Sequence, residues 1–148
     1  MKAHQWIISL LLGASISSQA IEVTEDGNDI KILDGTNVLL VYHKSEVHPP
    51  KGSDPSYKRS AFIHPLRSPK GAIVTSIHPD DHIHHVGLWN AWVNTSHGSK
   101  KIDFWNLKKK EGTVRYKKTI SLDQGPGKKG FTVCQEHISI SKEQKPTT

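Results

Sequence analysis

Apolar residues in this chain alternate with polar ones or run in short bursts, and each burst stops at a turn signal. Ile21-Glu22-Val23-Thr24-Glu25 alternates and ends at Asp26-Gly27; Ile30-Lys31-Ile32-Leu33 resumes and ends at Asp34-Gly35; residues 37–42 form a third run rich in Val and Leu. Period-two patterning broken by Asp-Gly pairs predicts strands joined by hairpin turns, so the chain opens as a meander. Residues 43–59 hold Pro49, Pro50, Gly52 and Pro55 and read as a loop, long enough to suggest a function of its own. Further strands are expected over 61–66, 72–75 (buried on both sides), 86–93, 102–105, 113–122 and 131–141, with turns at 68–71, 95–98 and 124–130. No helix-period stretch follows residue 20. The predicted fold class is all-β, an antiparallel β-sandwich.

The first twenty residues have a different pattern. Lys2 supplies a positive start, residues 6–16 are apolar and broken only by small or polar single residues, and Ser18-Gln19-Ala20 reads as a small-x-small cleavage site. This is the layout of a secretory signal peptide, and the apolar run is short for a membrane span. The expectation is a secreted or periplasmic protein cleaved near Ala20, with residues 21–148 as one sandwich domain and no transmembrane segment in the mature chain. The polar end after the last strand suggests a domain truncated at its C-terminus, since an unpaired last strand is an exposed edge. Cys134 is the only cysteine, so no internal disulfide forms. A formal charge of +6 comes from lysine runs at 100–101, 108–110, 117–118 and 128–129, which suit solvated strand ends. Nucleic-acid binding is not expected, because no basic module or aromatic platform accompanies those lysines.

The candidate chemistry lies in Asp80-Asp81-His82-Ile83-His84-His85. Three imidazoles in four residues are a poor choice for a core, where each needs a hydrogen-bond partner. What histidine offers is a proton exchanged near neutral pH, or a lone pair for a metal. His82 and His84 are two apart, so an extended backbone points both the same way and His85 the other. That spacing suits a chelate of a divalent metal such as zinc, copper or iron, with His64 from the neighbouring extended segment as a third ligand and Asp80 or Asp81 ligating or orienting. The metal-free alternative uses the same imidazoles for proton transfer or substrate hydrogen bonds. Trp89, Trp92, Phe104 and Trp105 follow closely in sequence. An indole beside His, Asp and Arg is what a sugar site requires, since the ring stacks on the C–H face while polar groups hold the hydroxyls. The ordinary alternative is that each indole is core.

The string Tyr57-Lys58-Arg59-Ser60-Ala61-Phe62-Ile63-His64-Pro65-Leu66-Arg67-Ser68-Pro69-Lys70-Gly71 resembles a block of secreted bacterial proteins labelled PmoA-like, or methane oxygenase PmoA. Val74-Thr75, Pro79-Asp80-Asp81-His82-Ile83-His84-His85-Val86-Gly87-Leu88-Trp89 and Asp103-Phe104-Trp105 are similar to further parts of it. The resemblance implies that this chain corresponds to the N-terminal part of a longer protein. Val86 stands where relatives carry Arg. The family label implies copper oxidation chemistry; the family's setting among polysaccharide-degrading bacteria implies sugar chemistry instead. By analogy, the sandwich would be an incomplete galactose-mutarotase-like supersandwich.

These readings combine into one expectation: an exported protein that binds or acts on a carbohydrate or sugar-derived small molecule. His64 and His85 are the acid and base, and Asp81 orients an imidazole. His82 and His84 hold substrate or metal, and Trp89 and Trp105 form the wall. Arg59 and Arg67 are candidate partners for an anionic group, with surface solvation the ordinary alternative for an arginine. The competing expectations are a metal-dependent oxidoreductase and a noncatalytic or inactive product.

Overall fold

A computed structural model describes residues 20–90 and 92–140. The signal peptide expected over residues 1–20 falls, but for Ala20, outside the described residues. Five strands, β1 (Ile21–Glu25), β2 (Asp29–Asp34), β3 (Asn37–His43), β4 (Phe62–Leu66) and β5 (Leu88–Trp89), pair antiparallel in the order β1-β2-β3-β4-β5. A small hairpin follows, β6 (Thr95–His97) and β7 (Lys100–Ile102), and then a long two-stranded ribbon, β8 (Gly112–Asp123) and β9 (Gly130–Ser139). The helical content of the described residues is two single 3₁₀ turns, Pro55–Tyr57 and Leu107–Lys109.

The first two turns form for the reason the sequence suggests. The Asp26 carboxylate accepts hydrogen bonds from the Asn28 and Asp29 amides, both at 2.8 Å, which closes the β1–β2 turn. Gly35 sits at φ 58°, the left-handed conformation that the β2–β3 turn needs. Alternation then divides the faces. Val23, Ile30, Tyr42 and Ala61 point into a cluster with Ile102, Phe104 and Val114. Tyr116, Leu122, Phe131 and Val133 of the ribbon pack against it, so the five-stranded sheet and the ribbon form two sandwich-like layers. The Tyr42 ring lies 5.3 Å from Phe131 and 6.3 Å from Tyr116. Polar clasps join the layers at their rims. Gln124 bonds the Val23 backbone in both directions, and Gln135 Nε2 donates to Tyr42 Oη at 3.0 Å.

The middle of the chain departs from expectation. Residues 72–75 do not form a buried strand: they make one bridge, Arg67 to Ile73, and leave Ile73 50 % and Val74 59 % exposed. Of the described residues in 86–93 only Leu88–Trp89 is strand, and 103–105 lies outside the strands after β7. The reason is competition for β4. One edge of β4 is taken by β3, and the other is shared between two short partners. Leu66 and Arg67 receive the 73–74 segment, while Phe62 and Ile63 receive β5. Neither partner has room to extend into a full strand.

Candidate functional site

The histidine segment is a hairpin of turns rather than an extended strand. Its base is a ladder: Gly87 N donates to Ser76 O at 2.7 Å, Ile77 bridges Val86, and His78 N donates to His85 O at 2.8 Å. Two turns follow one another at its tip, with His82 N on Pro79 O (3.0 Å) and His85 N on His82 O (2.8 Å). Buried Val86 pins the loop, and His78 locks it from within by donating Nδ1–H to the Ile83 carbonyl at 2.7 Å. Gly87 lets the loop dock on β4. At φ 54° it lies so close that a Cβ would stand 2.1 Å from the Ile63 carbonyl oxygen.

Consecutive turns change which rings meet. An extended backbone would have sent His85 away from His82 and His84, but the turns bring all three together. His85 stacks on His82 at 4.8 Å between centroids and meets His84 edge-on at 4.5 Å. His82 and His84 are 6.0 Å apart, edge to face. Among the described residues no three His, Cys, Asp or Glu side chains converge as a metal-holding group. The rings of His82, His84 and His85 pack against one another, so the two-apart spacing that suggested a chelate is part of a stacked cluster of three.

Two tryptophans complete the group. Trp105 lies 4.6 Å from His84 and 5.4 Å from His85, and Trp89 lies 5.4 Å from His85. Trp89 is carried by β5. Trp105 is set by buried Asp103, whose Oδ1 accepts the Trp105 and Asn106 amides at 2.8 and 2.9 Å while Oδ2 takes the Lys109 ammonium at 2.8 Å. Burial pushes the Asp103 carboxyl up, but Lys109 and the two amides outweigh it and hold the group below its ordinary value. Trp92 takes no part in this group. It lies over His137 of β9, ring on ring at 4.0 Å.

The residues of the expected acid–base group fall in different surroundings. His64 does not join the three rings: its Nδ1 faces the Thr75 hydroxyl at 2.9 Å, beside His43, and burial together with His43 pushes its pKa down. Asp81 faces His82, whose Nδ1 lies 3.0 Å from its carboxylate at the surface, and this bond lowers the Asp81 pKa. Arg67 also lies elsewhere. Its guanidinium donates to Gly71 O at 2.9 Å and lines a hollow of about 580 Å³ with residues of the β2–β3 turn, none of them histidine.

Arg59 is the residue whose position the sequence least suggested. It is not a solvated surface residue; it is 1 % exposed. Backbone bonds to Val47 fix it, with Arg59 N on Val47 O at 3.0 Å and the reverse bond at 2.8 Å. Nη2 donates to the Phe104 carbonyl at 2.8 Å, and Cζ lies 6.0 Å from the centre of the Trp89 ring. Burial pushes its pKa down to about 10, which leaves it charged at neutral pH. Its Nε and Nη1 are buried without a partner, as are His84 Nε2, His85 Nε2, Trp89 Nε1 and His137 Nε2. Burial lowers the pKa of both His84 and His137. The Arg59 charge adds to this effect for each, and the neighbouring His85 and His82 add to it for His84. His137 escaped sequence reasoning because it stands in an ordinary strand pattern far along the chain. Nothing local distinguishes it.

Native structures leave few buried polar groups unpaired, so this many around one cation marks the place where a ligand's atoms would be needed. No curated protein and no solved structure matches this chain. A family model does: it covers residues 29–145, a span that takes in the histidine hairpin, Arg59, both tryptophans and the ribbon, and the chain accordingly belongs to DUF6807, a family of unknown function.

Proposed function

We propose that this is an exported protein that binds a carbohydrate or sugar-derived small molecule at the His82–His84–His85 group and performs acid–base chemistry on it. The observation that carries the reading is the packing of three imidazoles against Trp89 and Trp105 with His84 Nε2, His85 Nε2 and Trp89 Nε1 unpartnered. Indole faces offer a sugar its stacking surface, and unpaired ring nitrogens offer its hydroxyls their hydrogen bonds. The Asp81 carboxylate accepts the His82 Nδ1 proton and leaves Nε2 as the proton-accepting atom of an exposed imidazole. His84 is held neutral by its surroundings, which suits it to take a proton rather than give one. The sequence resemblance to secreted PmoA-like proteins agrees with export and with sugar chemistry.

The test is calorimetric titration of the protein with D-galactose, D-glucose and their β-linked disaccharides, with and without EDTA. The reading expects saturable binding that EDTA leaves unchanged and that His85→Ala weakens. Binding lost on chelation would replace it with a metal-dependent one. Export is checked separately by N-terminal sequencing of secreted material, which should begin at Ile21.

A further inference from the structure

Arg59 is buried among side-chain nitrogens that lack partners. Its own Nε and Nη1, Trp89 Nε1 and the Nε2 atoms of His84, His85 and His137 are buried without a partner, as is His78 Nε2 within the histidine loop. Arginine and indole nitrogens only donate, and each imidazole can present Nε2–H by choice of tautomer. No acidic side chain among the described residues pairs with Arg59. Asp103, the buried carboxylate nearby, is occupied by Lys109 and two amides, and Asp81 is at the surface on His82. A buried cation without an acidic partner is the reverse of what a folded interior selects, since a charge taken out of water needs an opposite charge. Water could satisfy the hydrogen bonds but would not balance the charge.

We infer that Arg59 holds an oxyanion of the ligand, so that the sugar bound here is an acidic one, carrying a carboxylate or a sulfate or phosphate ester. This rests on the carbohydrate reading and adds to it the ligand's charge and the residue that selects it. Guanidinium pairs with carboxylate and phosphate oxygens more strongly than with neutral acceptors. The side chains nearest Arg59 are not tied down at the nitrogens in question, so turning Trp89 or His84 aside to admit the anion breaks no bond at those atoms.

The experiment compares D-galacturonate and D-glucuronate with D-galactose and D-glucose, and with inorganic sulfate and phosphate, on the full chain at constant ionic strength. Uronates should bind about tenfold or more tightly than the neutral sugars, the effect of one charge-assisted contact. Arg59→Met should erase that preference, bringing uronate affinity down to that of the neutral sugars measured on the same variant. Its melting temperature should stay level or rise, because a buried uncompensated charge has been replaced by an apolar chain. Equal affinity for uronates and neutral sugars would overturn the oxyanion and leave the sugar reading intact. Arg59-dependent binding of sulfate or phosphate with no sugar bound would keep the oxyanion site and overturn the sugar reading. If Arg59→Met does not fold, the wild-type protein decides. Of its three arginine Nε–H resonances, uronate should move that of Arg59 and spare Arg67 and Arg115, and an unmoved Arg59 signal overturns the inference.

Discussion

The β8–β9 ribbon and the 76–106 segment are of similar length and obey different rules. In the ribbon nearly every residue pairs across the ladder, from Gly112 with Ser139 to Asp123 with Gly130, and its apolar side chains cover one core. Among the described residues of the 76–106 segment backbone pairing is limited to the short base of the histidine loop, two-residue β5 and the small β6–β7 hairpin, and side chains supply much of the rest: Asp103 under Trp105, His78 inside its loop. The unpartnered buried nitrogens gather around this segment, with Arg59 and His137 meeting it from outside. Local rules agree with one another in the ribbon, which makes it scaffold. They conflict around the histidines, and such conflicts are retained where function requires them.

The strongest way to break this contrast is at glycine. Gly87→Ala should destabilise by about 3 kcal/mol or more, because the new Cβ meets the Ile63 carbonyl in a left-handed backbone. Urea denaturation followed by tryptophan fluorescence would register it as a large drop in midpoint. Gly125→Ala, in the turn of the ribbon with open space around it, is the matched control and should stay within about 0.5 kcal/mol.

Next in size is the scaffold itself. Val114 is fully enclosed between the layers, and Val114→Ala should cost about 2 kcal/mol from lost burial and an incompletely filled cavity. Affinity for any ligand found above should be unchanged in the fraction that remains folded. An affinity loss in step with the stability loss would mean that ribbon and site are not separable.

The smallest effect expected is on pH. His64, His84 and His137 have folded-state pKa values depressed below 6.5, chiefly by burial, so the unfolded chain takes up protons more readily. Their contribution is complete above about pH 6.5 and is lost as the pH falls below it towards the folded values. Thermal melts between pH 7.5 and 5 should show that slope, and the double variant His84→Gln/His137→Gln should flatten it. A slope unchanged in the double variant would place the titration elsewhere.

The meander β1–β3, the long loop and the ribbon were legible because period-two alternation and Asp-Gly turns are local signals, carried within a few residues. The histidine group was legible as composition and not as geometry. Nothing in Asp80-Asp81-His82-Ile83-His84-His85 shows whether the backbone is extended or doubly turned. The turned form prevails because Ser76 to Gly87 closes as a ladder and Gly87 docks on Ile63. The misread strands at 72–75 and 86–93 share one cause. Their apolar patterns were real, but β4 had a single free edge for both.

The amino-acid sequence by itself determined the all-β class, the order of the regular strands, and that His82, His84, His85, Trp89 and Trp105 belong to one stretch of chain. Only the tertiary structure decided that Arg59 is buried, that His137 comes near it from the ribbon, and that His64 stays apart. The physical reason is distance along the chain. Arg59 owes its one side-chain hydrogen bond to a carbonyl 45 residues away, and burial by contacts at that separation leaves no trace in the residues on either side of it.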